Sequence, residues 1–265
     1  MTLDALESIA LDAAHAAGAV LRDGFAKRDA LSVEVKAHRD YVTEVDREAE
    51  SVVVAVLRAR APGDPIVAEE SAPAAAAAGR RWIVDPLDGT TNFIHGVPTF
   101  AVSIALQDAT GLAVGVVYDP LRDETFHARR GGGAYVGTRR IHCTALTTLD
   151  TALIATGFPF RDLRRLSAYL SAFERFVRAT SGLRRAGSAS LDLAYTACGR
   201  YDGFFEIGLS AWDLAAGALL VSEAGGVVTT VGGGADVLAE GTIVAAGAAL
   251  HPAMLALTRE TLGTR

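Results

Sequence analysis

Cysteine is nearly absent from this sequence: Cys143 and Cys198 are the two in 265 residues, far apart and in no C-x-x-C pair. That excludes a disulfide framework and a thiolate zinc site and fits a reducing compartment, so the expected location is the cytoplasm. No apolar stretch is both long and charge-free enough to span a bilayer. The opening MTLDALESIALDAAHAAGAV carries Asp4, Glu7 and Asp12 and lacks a basic leader, so it reads as a helix and not as a signal peptide. Excess basic charge is missing too: 25 Lys and Arg stand against 31 Asp and Glu, a net charge of -6. That composition gives no support to a nucleic-acid or transcription-complex partner, although Arg161, Arg164, Arg165, Arg184 and Arg185 form a basic patch if the fold gathers them. There is no P-loop, no EF-hand spacing and no internal repeat. The six histidines, at 15, 38, 95, 127, 142 and 251, are dispersed, and none is assigned a catalytic role. No linker divides the chain, so residues 1–265 are expected to form one unit with approximate subdomains 1–145 and 146–265.

Half of the residues are hydrophobic, enough for a sizeable core. Leu3, Leu6, Ile9, Ala13, Ala17, Val20 and Leu21 recur at helical spacing and predict a long first helix. A polar stretch, KAHRDYVTEVD, precedes a second helix from about Glu44 to Arg60, which APGDP stops. Strands are predicted in PIVAEES, WIVD, TFAVSIAL and LAVGVVYDP, with a hairpin in ETFHARRGGGAYVG. Between the first two lies APAAAAAGRR, readable as helix or surface loop. The second half alternates the strand TALIAT, helices at 161–179 and 188–199, the strand DGFFEIGL, a helix from Trp212, the strands GGVVTTVGG and TIVAAG, and a closing helix HPAMLALTRETL. Strands and helices mixed throughout indicate a layered α/β sandwich.

Carboxylates collect at the edges of these elements. Glu69 and Glu70 follow a strand, Asp85 ends the apolar run RWIV, Asp88 comes one turn later, and Asp213 opens a helix. Pro86 fixes a turn that lets Asp85 and Asp88 face one side, Gly89 admits close backbone approach, and Thr90 and Thr91 offer hydroxyls and amides to a phosphate. Oxygen donors without His or Cys select Mg²⁺, Mn²⁺ or Ca²⁺ over zinc. Several converging carboxylates suit two ions held roughly 3.5–4 Å apart, as in phosphoryl hydrolases, with Asp85 as the natural bridge. Read singly, each acid has an ordinary explanation. Asp213 completes a capping box with Ser210, Glu69 and Glu70 are solvated loop charges, and Asp85 and Asp88 form an Asx-type turn. Two charges directly abutting a buried strand weigh against that reading for DPLDGTT as a whole.

DPLDGTTNF at 85–93 together with WDLAAG at 212–217 resembles the paired motifs of the inositol monophosphatase family, within the lithium-sensitive, magnesium-dependent phosphatase superfamily. VTEVD at 42–46, VAEES at 67–71, VYDPLRDETF at 117–126 and GSASLDLAYTACGRYDGFFEIGL at 187–209 extend the resemblance over most of the chain. It implies a five-layer α-β-α-β-α sandwich and a homodimer. It implies a first Mg²⁺ held by Glu69, Asp85 and the Leu87 carbonyl, a second held by Asp85, Asp88 and Asp213, and a weaker third near Glu69, with Mn²⁺ a possible substitute. Thr90, paired with Asp46, and Glu69 would activate the attacking water, and the amides of Gly89 and Thr90 would cradle the phosphate. Glu206 matches a carboxylate that bonds substrate hydroxyls, and Gly187, Ser188 and Ala189 match the backbone beside the ring. Lys36 matches a lysine on a mobile loop, against the plain reading of a solvated lysine.

The activity so implied is hydrolysis of myo-inositol 1-phosphate or a similar polyol phosphate. Histidinol phosphate, fructose 1,6-bisphosphate and nucleotide 3′-phosphates stand as alternative substrates, and binding to the transcription machinery as an alternative role. Thr91 after DGT favours the inositol branch over relatives with lysine there. Ser210-Ala211, in place of the His-Cys of animal enzymes, leaves the exact substrate open.

Overall fold

Bulky and small residues alternate along the long strands, and that alternation decides what lies on each face. The structure is a computed structural model that describes residues 1–28, 33–37, 40–71, 79–160 and 162–263. The first helix, α1 (Leu3–Ala26), buries Leu6, Ile9, Ala10, Ala13, Ala17 and Leu21 along one face. A short antiparallel hairpin follows, β1 (Val33–Ala37) with β2 (Asp40–Thr43), where the sequence was read only as a polar stretch. It leads into α2 (Glu44–Arg60), closed by a Thr43–Asp46 capping box.

A mixed sheet then forms from β3 (Ile66–Ala68), β4 (Arg81–Asp88), β5 (Ala101–Asp108), β6 (Gly111–Asp119), β7 (Glu124–Arg129), β8 (Gly133–Val136) and β9 (Arg139–Ile141), paired in chain order. The one-turn helix α3 (Thr90–Ile94) leaves the end of β4. Only β3 and β4 run parallel within this sheet. The second sheet has the order β11-β10-β12-β14-β13. Its strands are β10 (Leu153–Thr156), β11 (Gly182–Arg184), β12 (Gly203–Ile207), β13 (Gly226–Thr229) and β14 (Thr242–Gly247). Around them lie α4 (Leu166–Ala179), α5 (Ala189–Ala197), α6 (Ala211–Glu223), the single turn α7 (Val237–Glu240) and α8 (His251–Leu262). The helix expected over 161–179 starts later: residues 163–165 form a tight 3₁₀ turn in which Asp162 caps the Arg164 N–H, and α4 begins at Leu166.

Three buried clusters stack these pieces into five layers, α-β-α-β-α. α1 and α2 cover Trp82, Val84, Val102, Ile104, Leu106, Val114 and Val116 on the outer face of the larger sheet. α5 and α6 lie between the sheets, against Ile83, Ala101, Ala105 and Val117 on one side and Phe204, Ile243 and Ala245 on the other. α4 and α8 cover Ile154, Phe205, Val244 and Ala246 on the outside.

The central layer is tight because its facing residues are small. A Cβ on Gly115 of β6 would stand 2.8 Å from the Ala216 carbonyl, and one on Gly217 would stand 2.4 Å from the Leu193 Cβ of α5. The run Leu214-Ala215-Ala216-Gly217-Ala218 therefore seats the backbone of α6 directly on the larger sheet. Residues 72–78, in the alanine tract read as helix or loop, lie outside the described residues, as do His38 and Arg161.

Candidate active site and metal centre

Two acids three residues apart on a strand point to opposite faces, unless something breaks the alternation. In β4 something does. Asp85 pairs with Ser103 of β5, but Asp88 pairs with Ala101, so residues 86 and 87 together oppose Val102 alone. This is a β-bulge. Ser103 and Ala101 share the α6 side of the sheet, so Asp85 and Asp88 share it as well, while Leu87 turns to the α1–α2 layer. The turn expected between the two acids is thus a bulge within a continuing strand. Pro86 is tolerated there because β3 pairs β4 only as far as Val84, so the strand beyond needs no ladder donor on that side. The Leu87 N–H donates to Asp85 Oδ1 at 3.0 Å, which fixes the carboxylate against the bulge.

The third acid arrives from the central layer. Ser103, opposite Asp85, donates its hydroxyl to the Trp212 carbonyl at 3.1 Å and so ties the first turn of α6 to the bulge. Asp213, the next residue, accepts the Ser210 N–H at 2.6 Å. The capping reading of Asp213 holds, and it keeps the carboxylate beside the other two acids. Carboxylate oxygens of Asp85, Asp88 and Asp213 lie within 4.8 Å of one another, and all three residues are buried.

Glu69 completes the acidic wall. Its N–H donates to the Val84 carbonyl at 3.2 Å, and the Glu70 N–H donates to the buried Glu50 carboxylate at 2.8 Å, so the loop after β3 is pinned from below. Burial pushes the Asp85 carboxyl far above the usual carboxylate range, and the charges of Glu69, Asp88 and Asp213 push the same way. Asp88 is raised by burial and pulled back by serines: its Oδ2 accepts Ser188 Oγ at 2.7 Å, the Ser190 N–H at 2.8 Å and Ser190 Oγ at 2.5 Å. A cluster of this kind needs protons or cations to be stable. Acids alone, at this spacing and depth, fit hard divalent ions and offer nothing that zinc prefers.

Around the acids stand the other expected residues. The Thr90 hydroxyl lies 3.0 Å from Asp46 Oδ1 and 3.1 Å from the Leu87 carbonyl, and its one proton serves one of them at a time. Asp46 Oδ2 takes the Thr43 N–H at 2.9 Å, so the capping box of α2 also fixes the partner of Thr90. Gly89 has φ +103°, and a Cβ there would sit 2.9 Å from the Thr99 carbonyl. Only glycine fits. Glu206, on β12, lies against the backbone of Gly157, where a Cβ would come 2.0 Å from Oε1. Gly187, Ser188 and Ala189 run past the mouth into α5.

All of these except Asp46 line one cavity of about 390 Å³, which Tyr41, Phe158, Phe160 and Arg185 also line. Lys36 falls in β1, and its side chain lies outside what is described. Among the described residues no helix is long and apolar enough to cross a membrane.

The profile of the inositol monophosphatase family matches residues 2–262. The chain belongs to that family. A relative from Pseudomonas aeruginosa named Nus factor SuhB is 50% identical over 253 residues, covering 94% of this chain and 93% of the relative. An inositol-1-monophosphatase from Mesorhizobium japonicum is 42% identical over 266 residues, all of both chains. Two solved structures superpose closely on this inositol monophosphatase fold. SuhB from Bartonella henselae has a TM-score of 0.93 at 40% identity, over 97% of this chain and all of that one. Inositol monophosphatase from Anabaena has a TM-score of 0.88 at 37% identity, over 98% of each. The family is metal-dependent and acts on small phosphorylated compounds, which agrees with the buried acidic cluster and its cavity.

Several residues around the site were not picked out by sequence reasoning. Ser190 bonds Asp88 twice. Asn92 donates to the Thr99 and Ala186 carbonyls at 2.7 and 2.9 Å and holds the mouth of the cavity together. Both sit inside motifs that the resemblance quotes, yet neither carries a charge that would flag it. Phe158 and Phe160 had a signal: ATGFPF leaves a strand on the same sheet edge as Glu206.

Proposed function

We propose that this inositol monophosphatase family member is a Mg²⁺-dependent phosphomonoesterase acting on myo-inositol 1-phosphate or a closely similar polyol phosphate. The observation that carries the reading is the meeting of Asp85, Asp88 and Asp213 within 4.8 Å, at the wall of a cavity that Glu206 also lines. Glu69, Asp85 and the Leu87 carbonyl would hold one Mg²⁺, and Asp85, Asp88 and Asp213 would hold another. Bound Mg²⁺ lowers the pKa of water and neutralises the charge that spreads over the phosphoryl oxygens and the leaving alkoxide.

The chain's own groups do the rest. The Gly89 and Thr90 amides cradle the phosphate, with Gly89 open to close approach because of its backbone conformation. Glu69 and the Thr90–Asp46 pair orient a water and take its proton as it attacks phosphorus in line. Ser188 and Ser190 keep the Asp88 carboxylate turned toward the cluster. Glu206 receives hydroxyls of the polyol, and the 187–189 backbone flanks its ring. A homodimer is part of this reading, carried by the family resemblance.

The test is phosphate release, with and without Mg²⁺, from myo-inositol 1-phosphate, histidinol phosphate, fructose 1,6-bisphosphate and adenosine 3′,5′-bisphosphate. Turnover of the inositol ester is expected to require Mg²⁺ and to fall by about 10³-fold or more in D88N, which removes a charged ligand of the metal site. Millimolar lithium is expected to inhibit by competing for the ion held by Asp85, Asp88 and Asp213. Activity indifferent to lithium counts against that assignment. The 50% identity to a protein named a Nus factor supports a second reading, binding to a partner in transcription. D88N separates the two, since it removes hydrolysis and leaves partner binding in place.

A further inference from the structure

The cavity is walled by acids, and Arg185 stands at its rim with no salt bridge to a carboxylate among the described residues. Arg185 follows β11, is exposed, and lines the cavity. Its guanidinium lies over the rings of Phe160 at 5.1 Å and Phe158 at 5.9 Å. Those rings are themselves packed edge to face at 5.6 Å, and Phe158 is braced by Tyr169 at 5.5 Å. Among the described residues no carboxylate pairs with Arg185 and no hydrogen-bond acceptor meets its guanidinium. Other arginines of the basic set differ: Arg164 is held by Asp162, and Arg165 by the Leu262 carbonyl.

The aromatic shelf turns this side chain inward. Arg185 Nη1 lies 2.7 Å from the position a Cβ would take on Gly187, so the glycine at φ +92° leaves room for the guanidinium to fold back over the loop. The Gly187 carbonyl in turn lies 3.3 Å from the position a Cβ would take on Gly89, in the phosphate cradle. The guanidinium thus stands one glycine beyond the Gly89 turn, on the rim of the same cavity that Glu206 lines. A planar fork of donors, stacked in place and not spent on the protein, is built to receive an oxyanion with two parallel hydrogen bonds.

We propose that Arg185 is a specificity-determining residue that receives a second anionic group of the substrate, so that for a given polyol or sugar the ester carrying a further phosphate or carboxylate is preferred. The proposal rests on the phosphomonoesterase reading and narrows its substrate class. The phosphate that is cleaved lies with the acids and their cations, and the one that is kept lies on Arg185.

The experiment compares two esters that share the scissile group, fructose 1-phosphate and fructose 1,6-bisphosphate, in the wild-type protein, R185Q and R185K. It uses kcat/KM with Mg²⁺, and calorimetric binding with Ca²⁺ in place of Mg²⁺ to suppress turnover. The wild type is expected to favour the bisphosphate by about tenfold or more, mainly through KM, as suits a charge-assisted bidentate contact. R185Q is expected to bring that ratio to about one, and R185K, which keeps the charge and loses the fork, to leave an intermediate ratio. Thermal melting of each variant separates this from a packing role, which lowers the melting temperature and leaves the ratio intact.

Equal handling of the two esters by the wild type, or a ratio unmoved in R185Q, overturns the assignment while the phosphatase stands. Arg185-dependent binding of the bisphosphate without Mg²⁺-dependent release overturns the phosphatase reading and keeps the anion site. Binding of neither ester overturns both.

Discussion

Asp85 occupies a position where a carboxylate is hard to keep. Burial, then Glu69, Asp88 and Asp213, all raise its pKa. A carboxyl raised in the folded state contributes stability below its unfolded pKa, near 4, and that contribution is lost as pH rises through the folded value. Metal-free protein is therefore expected to lose stability as pH climbs from about 4 toward neutrality. D85N is expected to melt higher than wild type without Mg²⁺ at neutral pH and to have no activity. Mg²⁺ is expected to raise the melting temperature of the wild type and not that of D85N, because only a native state with its ligands gains from mass action. A D85N protein that melts below metal-free wild type defeats this account. Asp85 and Asp88 were legible in the sequence because two charges abutting an apolar run demand a reason, whereas Asp213 read alone was a helix cap and was singled out by the WDLAAG motif. Ser190 and Asn92 were not, because a serine or an asparagine at an element edge is ordinary until its partner, a hundred residues away in the case of Ser190, is known.

The position of α6 depends on residues defined by their small size. Gly115 and the alanines facing it let the helix backbone rest on the sheet, and the Ser103 bond to Trp212 sets its rotation. G115V places a branched side chain where 2.8 Å separates a Cβ from the Ala216 carbonyl. Overpacking of this kind costs about 1–3 kcal/mol. The expected result is a lower urea midpoint together with weakened Mg²⁺ affinity, since Asp213 moves with the helix.

A different device joins α1 to β7. His127 Nδ1 meets Glu7 Oε1 at 2.7 Å while Nε2 meets the Gly137 carbonyl at 2.8 Å, and Arg129 also reaches Glu7 at 2.9 Å. With an acceptor facing each ring nitrogen, the protonated ring, in which both nitrogens donate, is the form this setting favours. Burial opposes that charge, but the bonds to Glu7 and Gly137 outweigh it and the pKa rises above 6.5. Burial likewise opposes ionisation of Glu7, and His127 with Arg129 lowers it nonetheless. The His127 contribution is present in full below pH 6.5 and is lost as pH rises through the raised folded value. Urea midpoints measured upward from pH 6 are expected to fall in the wild type over that range and to lack this fall in H127Q.

The layered architecture was legible as a class and not as a topology. Helical spacing and alternation marked the long elements, and TIVAAG and HPAMLALTRETL match β14 and α8 residue for residue. The order β11-β10-β12-β14-β13, with parallel pairing of β10 to two neighbours, was not legible. Pairing between distant segments is set by the packing of whole faces against α5 and α6, and no local window contains that information. β9, β11 and α7 have three or four residues each, too few for a period to show. The hairpin of β1 and β2 was missed as well: Val33, Val35 and Ala37 alternate with Glu34 and Lys36, but strands of five and four residues are short for the period to stand out.

The bulge in β4 also bears on how this sequence can change by inheritance. Substitution is the mild event: Leu87 contributes a carbonyl, and any side chain suited to the α1–α2 layer serves beside it. Loss or gain of one codon between Asp85 and Asp88 is the severe one. A single deletion keeps every acid and restores an ordinary ladder in which both carboxylates still face α6, opposite Ser103 and Ala101, but it straightens the bulge and takes away the backbone turn in which the Leu87 N–H holds Asp85 Oδ1. The two acids then stand two residues apart instead of three, and the fixed geometry of the cluster is lost although its charges remain. Length, more than composition, is what lineages of this chain have least freedom to alter at this point.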